Sequence, residues 1–223
     1  MKRLLLGLAA LLVVAAGETP PETSPPSPAP EFTFARLLVM PFSRAAVTGE
    51  LWQCPRCGAI LMSCAIEDGA EATLAGLLDD RLREFAGFAM VPQEEINRAL
   101  AAIPEPERTQ ARLEPWFPVK LAQELKADAV LIPTVSCFRQ RSGTAWASGK
   151  PAAAAFELEL VAVADRRMVW QGRYQEEQKP LSENLLEAGK FFRRGAKWVN
   201  VDVLARDGLA EALRDFPAPK SAP

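Results

Sequence analysis

The sequence predicts an α/β (α+β) protein: a mixed β-sheet with a long antiparallel hairpin, and helices packed on the sheet. Three observations lead there. The run Ala129-Val-Leu-Ile-Pro-Thr-Val135 is apolar and rich in β-branched residues, as a buried strand requires. In Phe156-Glu-Leu-Glu-Leu160 apolar residues alternate with charge, Asp165-Arg166-Arg167 makes a turn, and Met168, Trp170, Gly172 and Tyr174 resume the two-residue period. The rest of the chain alternates strand-like runs with helical ones, an order that favours a sheet carrying helices over a bundle or a sandwich.

In chain order, the first feature is an address. Met1-Lys2-Arg3, an uncharged apolar run from Leu4 to Ala16 and the small residues Val14-Ala15-Ala16-Gly17 read as a secretory signal over residues 1–17, cut after Ala16 or Gly17. The run is shorter than the roughly 20 residues of a membrane span. Glu18 stands where a lipoprotein signal needs a cysteine, so no lipid anchor is expected and the protein should be periplasmic or secreted. Loss of Lys2 and Arg3 takes the formal charge from −2 to −4, which argues against nucleic acid as a partner. Residues 18–34 are rich in proline, serine, threonine and alanine and predict a linker. A single α/β domain is expected over 35–216 and a disordered tail over 217–223.

Within the domain, the apolar run 37–42 predicts a first buried strand, ended by Pro41. Asp68 is placed to cap a helix over 70–85, where Leu74, Leu77, Leu78, Leu82 and Phe85 share a face and Gly87 ends the run. A short strand over 88–91 follows, then a helix that Pro92 starts and that runs through Leu100. After a proline-punctuated connection, Val119, Leu121, Ala122 and Leu125 mark a helix ahead of the central strand. Behind the hairpin, helical material is expected from Ser182 or Asn184 to Phe192, and a terminal helix over 201–213. Lys190-Phe-Phe-Arg-Arg194 with Lys197-Trp198 has the composition of a membrane-surface, glycan or nucleic-acid contact, and more commonly of aromatics packed on a sheet beneath solvated cations.

The chain has no histidine, which removes serine-histidine and cysteine-histidine nucleophile pairs and histidine metal sites. No phosphate loop or dinucleotide fingerprint appears. Glu157 and Glu159 are expected to mark the solvated face of their strand. A hydrolase built on carboxylates elsewhere has no motif behind it.

The cysteines carry the chemistry. Trp52-Gln-Cys54-Pro-Arg-Cys57-Gly58 has the spacing and trailing glycine of a metal knuckle, which aims two thiolates at one ion and supports them with backbone amides. Only Cys64 and Cys137 could supply two more thiols, giving the zinc site Cys54, Cys57, Cys64 and Cys137. In an oxidising compartment the same four would instead pair in one of three ways, among them Cys54–Cys57 with Cys64–Cys137. A redox-catalytic pair is the third reading. It is weakened because Gly58-Ala-Ile-Leu-Met62 does not look like the helix whose N-terminus lowers a thiol pKa. The loop over 43–67 is long and holds few residues able to form a core of its own, so a crosslink or an ion is expected to fix it.

Leu38-Val-Met-Pro-Phe42, the helix-strand-helix from Leu78 to Leu100, and Leu121-Ala-Gln-Glu-Leu-Lys-Ala-Asp-Ala-Val130 resemble a periplasmic α/β module. That module is shared by CsgG-like curli-secretion lipoproteins, TolB amino-terminal domains and penicillin-binding-protein activator lipoproteins. The resemblance covers residues 36–178 and implies an envelope assembly or accessory role with no catalytic residues and no cofactor. Its partner would be an envelope protein or a peptidoglycan-associated one. Two departures stand out. Lys126 replaces the glycine of the family's Leu-Gly-Ala-Asp turn, at a place suited to positive φ. The segment 139–150 is too polar for a membrane-spanning hairpin. The expected function is therefore a non-catalytic envelope binding protein; the alternative is a thiol-disulfide or zinc protein using Cys54 and Cys57.

Overall fold

The computed structural model describes residues 32–46, 49–107, 114–143, 148–178 and 199–218. The expected signal, the linker up to residue 31, the helical stretch before Phe192, the basic aromatic cluster and the last five residues lie outside them.

The sheet is mixed, as expected. Its strands are β1 (Arg36–Val39), β2 (Ser43–Arg44), β5 (Ala89–Met90), β6 (Ala129–Arg139), β9 (Ala153–Ala162) and β10 (Met168–Glu177), in the order β10-β9-β6-β1-β5 with β2 beside the far end of β6. β1 pairs in parallel with β5 and with β6, while β6, β9 and β10 form an antiparallel meander. Four helices are described: α1 (Ala70–Leu82), α2 (Gln93–Ala102), α3 (Phe117–Glu124) and α4 (Val201–Ala212). Two further strand pairs are described, β3 (Leu51–Gln53) with β4 (Ile60–Met62), and β7 (Ser142–Gly143) with β8 (Ser148–Lys150).

The two-residue period of β9 explains the layering. Ala154, Phe156, Leu158 and Leu160 point to one face, where they join the main core with Leu74, Leu78 and Leu82 of α1 and Leu204, Ala205 and Leu209 of α4. Asn200 starts α4 by accepting the Val203 amide at 3.0 Å on its side-chain oxygen. α4 lies close on the sheet because glycine meets it on both sides. A Cβ on Gly172 would come 2.5 Å from the Ala212 carbonyl oxygen, and one on Gly208 would overlap the Tyr174 ring. The other sheet face has two covers. Leu38, Val130, Ile132 and Val161 pack under Ile96 of α2 and Val119, Leu121 and Ala122 of α3. Farther along, Ala153, Ala155 and Cys137 pack under Trp52, Cys54 and Leu61 of the β3–β4 hairpin.

Several sequence expectations change here. The loop over 43–67 does form a small core of its own, because Trp52 and Leu61 are cross-strand partners on the inner face of a hairpin. Asp68 does not cap α1; Gly69 occupies the N-cap at φ 84 without a side-chain hydrogen bond. The folded unit begins at Phe32, and Phe34 is buried against Phe88 and Phe216, so these aromatics belong to the core and not to the linker. β9 starts three residues before Phe156, at alanines whose propensity gives no strand signal but which are fully buried. Lys126 does take the positive φ expected of its turn, 53°.

Candidate functional site

Glu157 and Glu159 are the largest departure from the sequence reading. Their alternation with Phe156, Leu158 and Leu160 is as expected, but the face they occupy is roofed instead of solvated, and they are 1% and 0% exposed. The roof is the β3–β4 hairpin with its cysteine turn.

The turn is built by its own backbone. Cys54 N donates to Ala59 O at 2.8 Å, Gly58 N donates to Cys54 O at 2.9 Å, and Gly58 sits at φ 74, a conformation glycine adopts without strain. Ala59 N donates to the Cys57 sulfur at 3.3 Å, the amide support expected of a knuckle. Three contacts dock the hairpin on the sheet. Ser136 Oγ of β6 donates to Met62 O at 2.8 Å, Met62 N donates to Gln175 Oε1 of β10 at 2.9 Å, and Cys64 N donates to Ser136 O at 3.1 Å. A disulfide joins Cys64 to Cys137 across a sequence separation of 73 residues.

With Cys64 and Cys137 bonded to each other, Cys54 and Cys57 remain free thiols. They do not converge on the other two cysteines; they converge on the buried glutamates. Cys54 Sγ donates to Glu159 Oε1 at 3.4 Å and Cys57 Sγ to Glu157 Oε1 at 3.1 Å. One ligand atom from each of Cys54, Cys57, Glu157 and Glu159 can be chosen so that all four lie within 4.8 Å of one another.

Each carboxylate is also held from outside the cluster. Arg56, between the two cysteines, donates Nε to Glu159 Oε2 at 2.5 Å. Across the hairpin, Arg173 and Gln171 stand opposite Glu157 and Glu159 in register, and both donate to Glu157 Oε1, Arg173 Nε at 3.2 Å. Glu157 Oε2 is buried without a hydrogen-bond partner among the described residues. Burial pushes the Cys54 thiol well above its ordinary range, and the Glu157 carboxylate adds to this against a lowering by the Cys57 backbone amide. A thiol so placed stays protonated at neutral pH, the reverse of the exposed, low-pKa thiolate used by thiol-disulfide catalysts.

Sequence reasoning found Cys54 and Cys57 but missed the two glutamates, Arg56 and Arg173. One signal was available. Acidic residues two apart in a strand whose other positions are all alanine or large apolar residues, faced by Gln171 and Arg173 at the matching period of the next strand, mark charge that needs a partner if the face is covered.

No protein-family model matches the chain, and no curated protein sequence matches it. Solved structures do. Lipoprotein GNA1162 from Neisseria meningitidis is 16% identical at a TM-score of 0.45, over 73% of this chain and 98% of that one. PelC from Paraburkholderia phytofirmans, solved as a dodecamer, is 15% identical at 0.43, over 86% and 94%. The LpoB C-terminal domain from Salmonella enterica is 16% identical at 0.41, over 67% and 88%. At identities and TM-scores this low, these likenesses assign the chain no activity and no partner. The likenesses to penicillin-binding-protein activators, curli-secretion lipoproteins and TolB rest on sequence pattern.

A cleft of ≈ 710 Å³ lies where β1 and β5 end, between α1 and α2, and includes Met40, Phe42, Met90 and Ile96. Its charged residues Asp79 and Arg83 pair with each other at 2.8 Å, so they do not converge on a ligand.

Proposed function

We propose that the protein is a non-catalytic binding or accessory protein of the cell envelope, exported by its amino-terminal signal and acting on an envelope protein or a peptidoglycan-associated partner. The observation that carries the reading is the Cys64–Cys137 disulfide, which fastens the cysteine loop to the central strand. Such bonds persist in oxidising compartments and are rare in the cytosol. The basic start and short apolar run of residues 1–17 point to the same compartment.

The non-catalytic part rests on chemistry. The chain has no histidine to serve as a base. Its free cysteine pair sits in the hairpin turn, Cys54 1% exposed and Cys57 half-buried, and strand β4 follows instead of a helix. A thiol-disulfide catalyst needs its attacking sulfur open to substrate.

Fractionation with amino-terminal sequencing of the expressed chain is the test. The expected result is protein outside the cytoplasm, beginning at Gly17 or Glu18, that enriches envelope components in crosslinked pull-downs. Intact Met1 on cytosolic protein would overturn the reading. So would insulin reduction that Cys54→Ala abolishes, which would make the protein a thiol-disulfide enzyme.

A further inference from the structure

We propose that Cys54, Cys57, Glu157 and Glu159 bind one divalent transition-metal ion, Zn(II) by the softness of the two sulfurs, in a closed four-ligand site that pins the β3–β4 hairpin to β9. This is separate from the envelope reading and holds in whichever compartment the protein works.

Geometry comes first. A tetrahedral zinc with sulfur ligands at about 2.3 Å and carboxylate oxygens at about 2.0–2.2 Å has ligand-to-ligand edges of roughly 3.3–3.8 Å. Two of the edges are already close to that, at 3.1 Å between Cys57 Sγ and Glu157 Oε1 and 3.4 Å between Cys54 Sγ and Glu159 Oε1. The widest separation in the set, at most 4.8 Å, closes with a shift of about 1 Å. The turn supplies its thiols from positions three apart with an amide on one sulfur, as zinc knuckles do.

The buried polar groups give an independent reason. Two carboxylates beneath a hairpin are costly unless paired and hydrogen-bonded, and Glu157 Oε2 has no partner among the described residues while its residue is 1% exposed. An ion bound to this carboxylate through Oε1 neutralises its charge and offsets the cost of burying it. The surrounding cations fit the bound state. Two thiolates and two carboxylates around a divalent ion leave two negative charges, and Arg56 on Glu159 and Arg173 on Glu157 balance them. Arg56 takes Glu159 Oε2 and leaves Oε1 facing the sulfurs, the division of labour between a ligand oxygen and one held from outside. On binding, each thiol forms a metal–sulfur bond and releases its proton to solvent, so one ion displaces two protons. With four protein ligands the site has no open position, which makes it structural in kind.

The test uses the full chain with its disulfide intact, freed of metal by a chelator and titrated with Co(II) and then Zn(II). One equivalent of Co(II) should give tetrahedral ligand-field bands with a thiolate charge-transfer band, and one equivalent of Zn(II) should bleach both. Cys57→Ser should weaken binding at least about a hundredfold and Glu157→Gln or Glu159→Gln at least about tenfold each, since even partners outside the ligand set cost 10–100-fold. Cys64→Ser/Cys137→Ser should keep the spectrum. X-ray absorption at the zinc edge of the wild-type protein needs no variant, and should find two sulfur and two oxygen neighbours. The proposal is overturned by absence of a thiolate band, by four sulfur neighbours, or by binding that both glutamine variants leave unchanged.

Discussion

Reducing the Cys64–Cys137 bond should markedly destabilise the fold. The bond closes a loop of 73 residues that contains α1, β5, α2, α3 and most of β6. On the loop-entropy relation, a loop of that length restricts the unfolded chain by about 4 kcal/mol. For a domain of this size that corresponds to a fall of about 10–15 °C in Tm. Urea unfolding of three samples measures it: oxidised wild type, wild type under reductant, and Cys64→Ala/Cys137→Ala. The reduced protein and the double variant should unfold at similar, lower urea concentrations, the variant slightly lower still because Cys137 is fully buried and its sulfur leaves a void. A reduced protein within about 1 kcal/mol of the oxidised one would refute the reasoning, and would mean that the unfolded chain is already compact around these residues.

Three other perturbations separate local effects. Gly208→Ala should destabilise by about 1–3 kcal/mol despite alanine's better helix propensity, since the added Cβ would come 2.5 Å from Tyr174 Cε1; an unchanged melting point would show that α4 shifts freely. Lys126→Gly should stabilise by up to about 1 kcal/mol, because the residue sits at φ 53, and a loss measured by denaturant titration would mean the lysine side chain matters more than the turn. Glu71 is held below the ordinary carboxylate range chiefly by its hydrogen bond from Arg44. Its ionised form therefore adds stability above its unfolded-state value, and this is lost as pH falls through the lower folded-state value. Wild type should exceed Glu71→Gln in stability at neutral pH and converge with it in acid; a gap that widens in acid would contradict the assignment.

Much of the fold was legible because one face of each long element is apolar at the right period. Leu74, Leu78 and Leu82 in α1 and the alternation through β9 are examples, and both pack in the main core. What was not legible came from covering that a single strand cannot reveal. Glu157 and Glu159 look like solvated positions until β3 and β4 fold over them, and that hairpin hides in a loop whose strands are only three residues each. The Cys64–Cys137 pairing was one of the alternatives open to four thiols; it forms because residues 64–67 run beside the end of β6, with the Ile66–Phe138 bridge holding them there. The knuckle's two sulfurs were visible, but their carboxylate neighbours, about 100 residues away in sequence, were not.

Peptide mapping of the protein taken directly from its native compartment, alkylated without reduction, tests the central claim about the cysteine loop most directly. One linked peptide pair, Cys64 with Cys137, is expected, together with alkylated Cys54 and Cys57 once the chain is unfolded and any metal removed. A Cys54–Cys57 crosslink, or Cys64 and Cys137 recovered as free thiols, would contradict it.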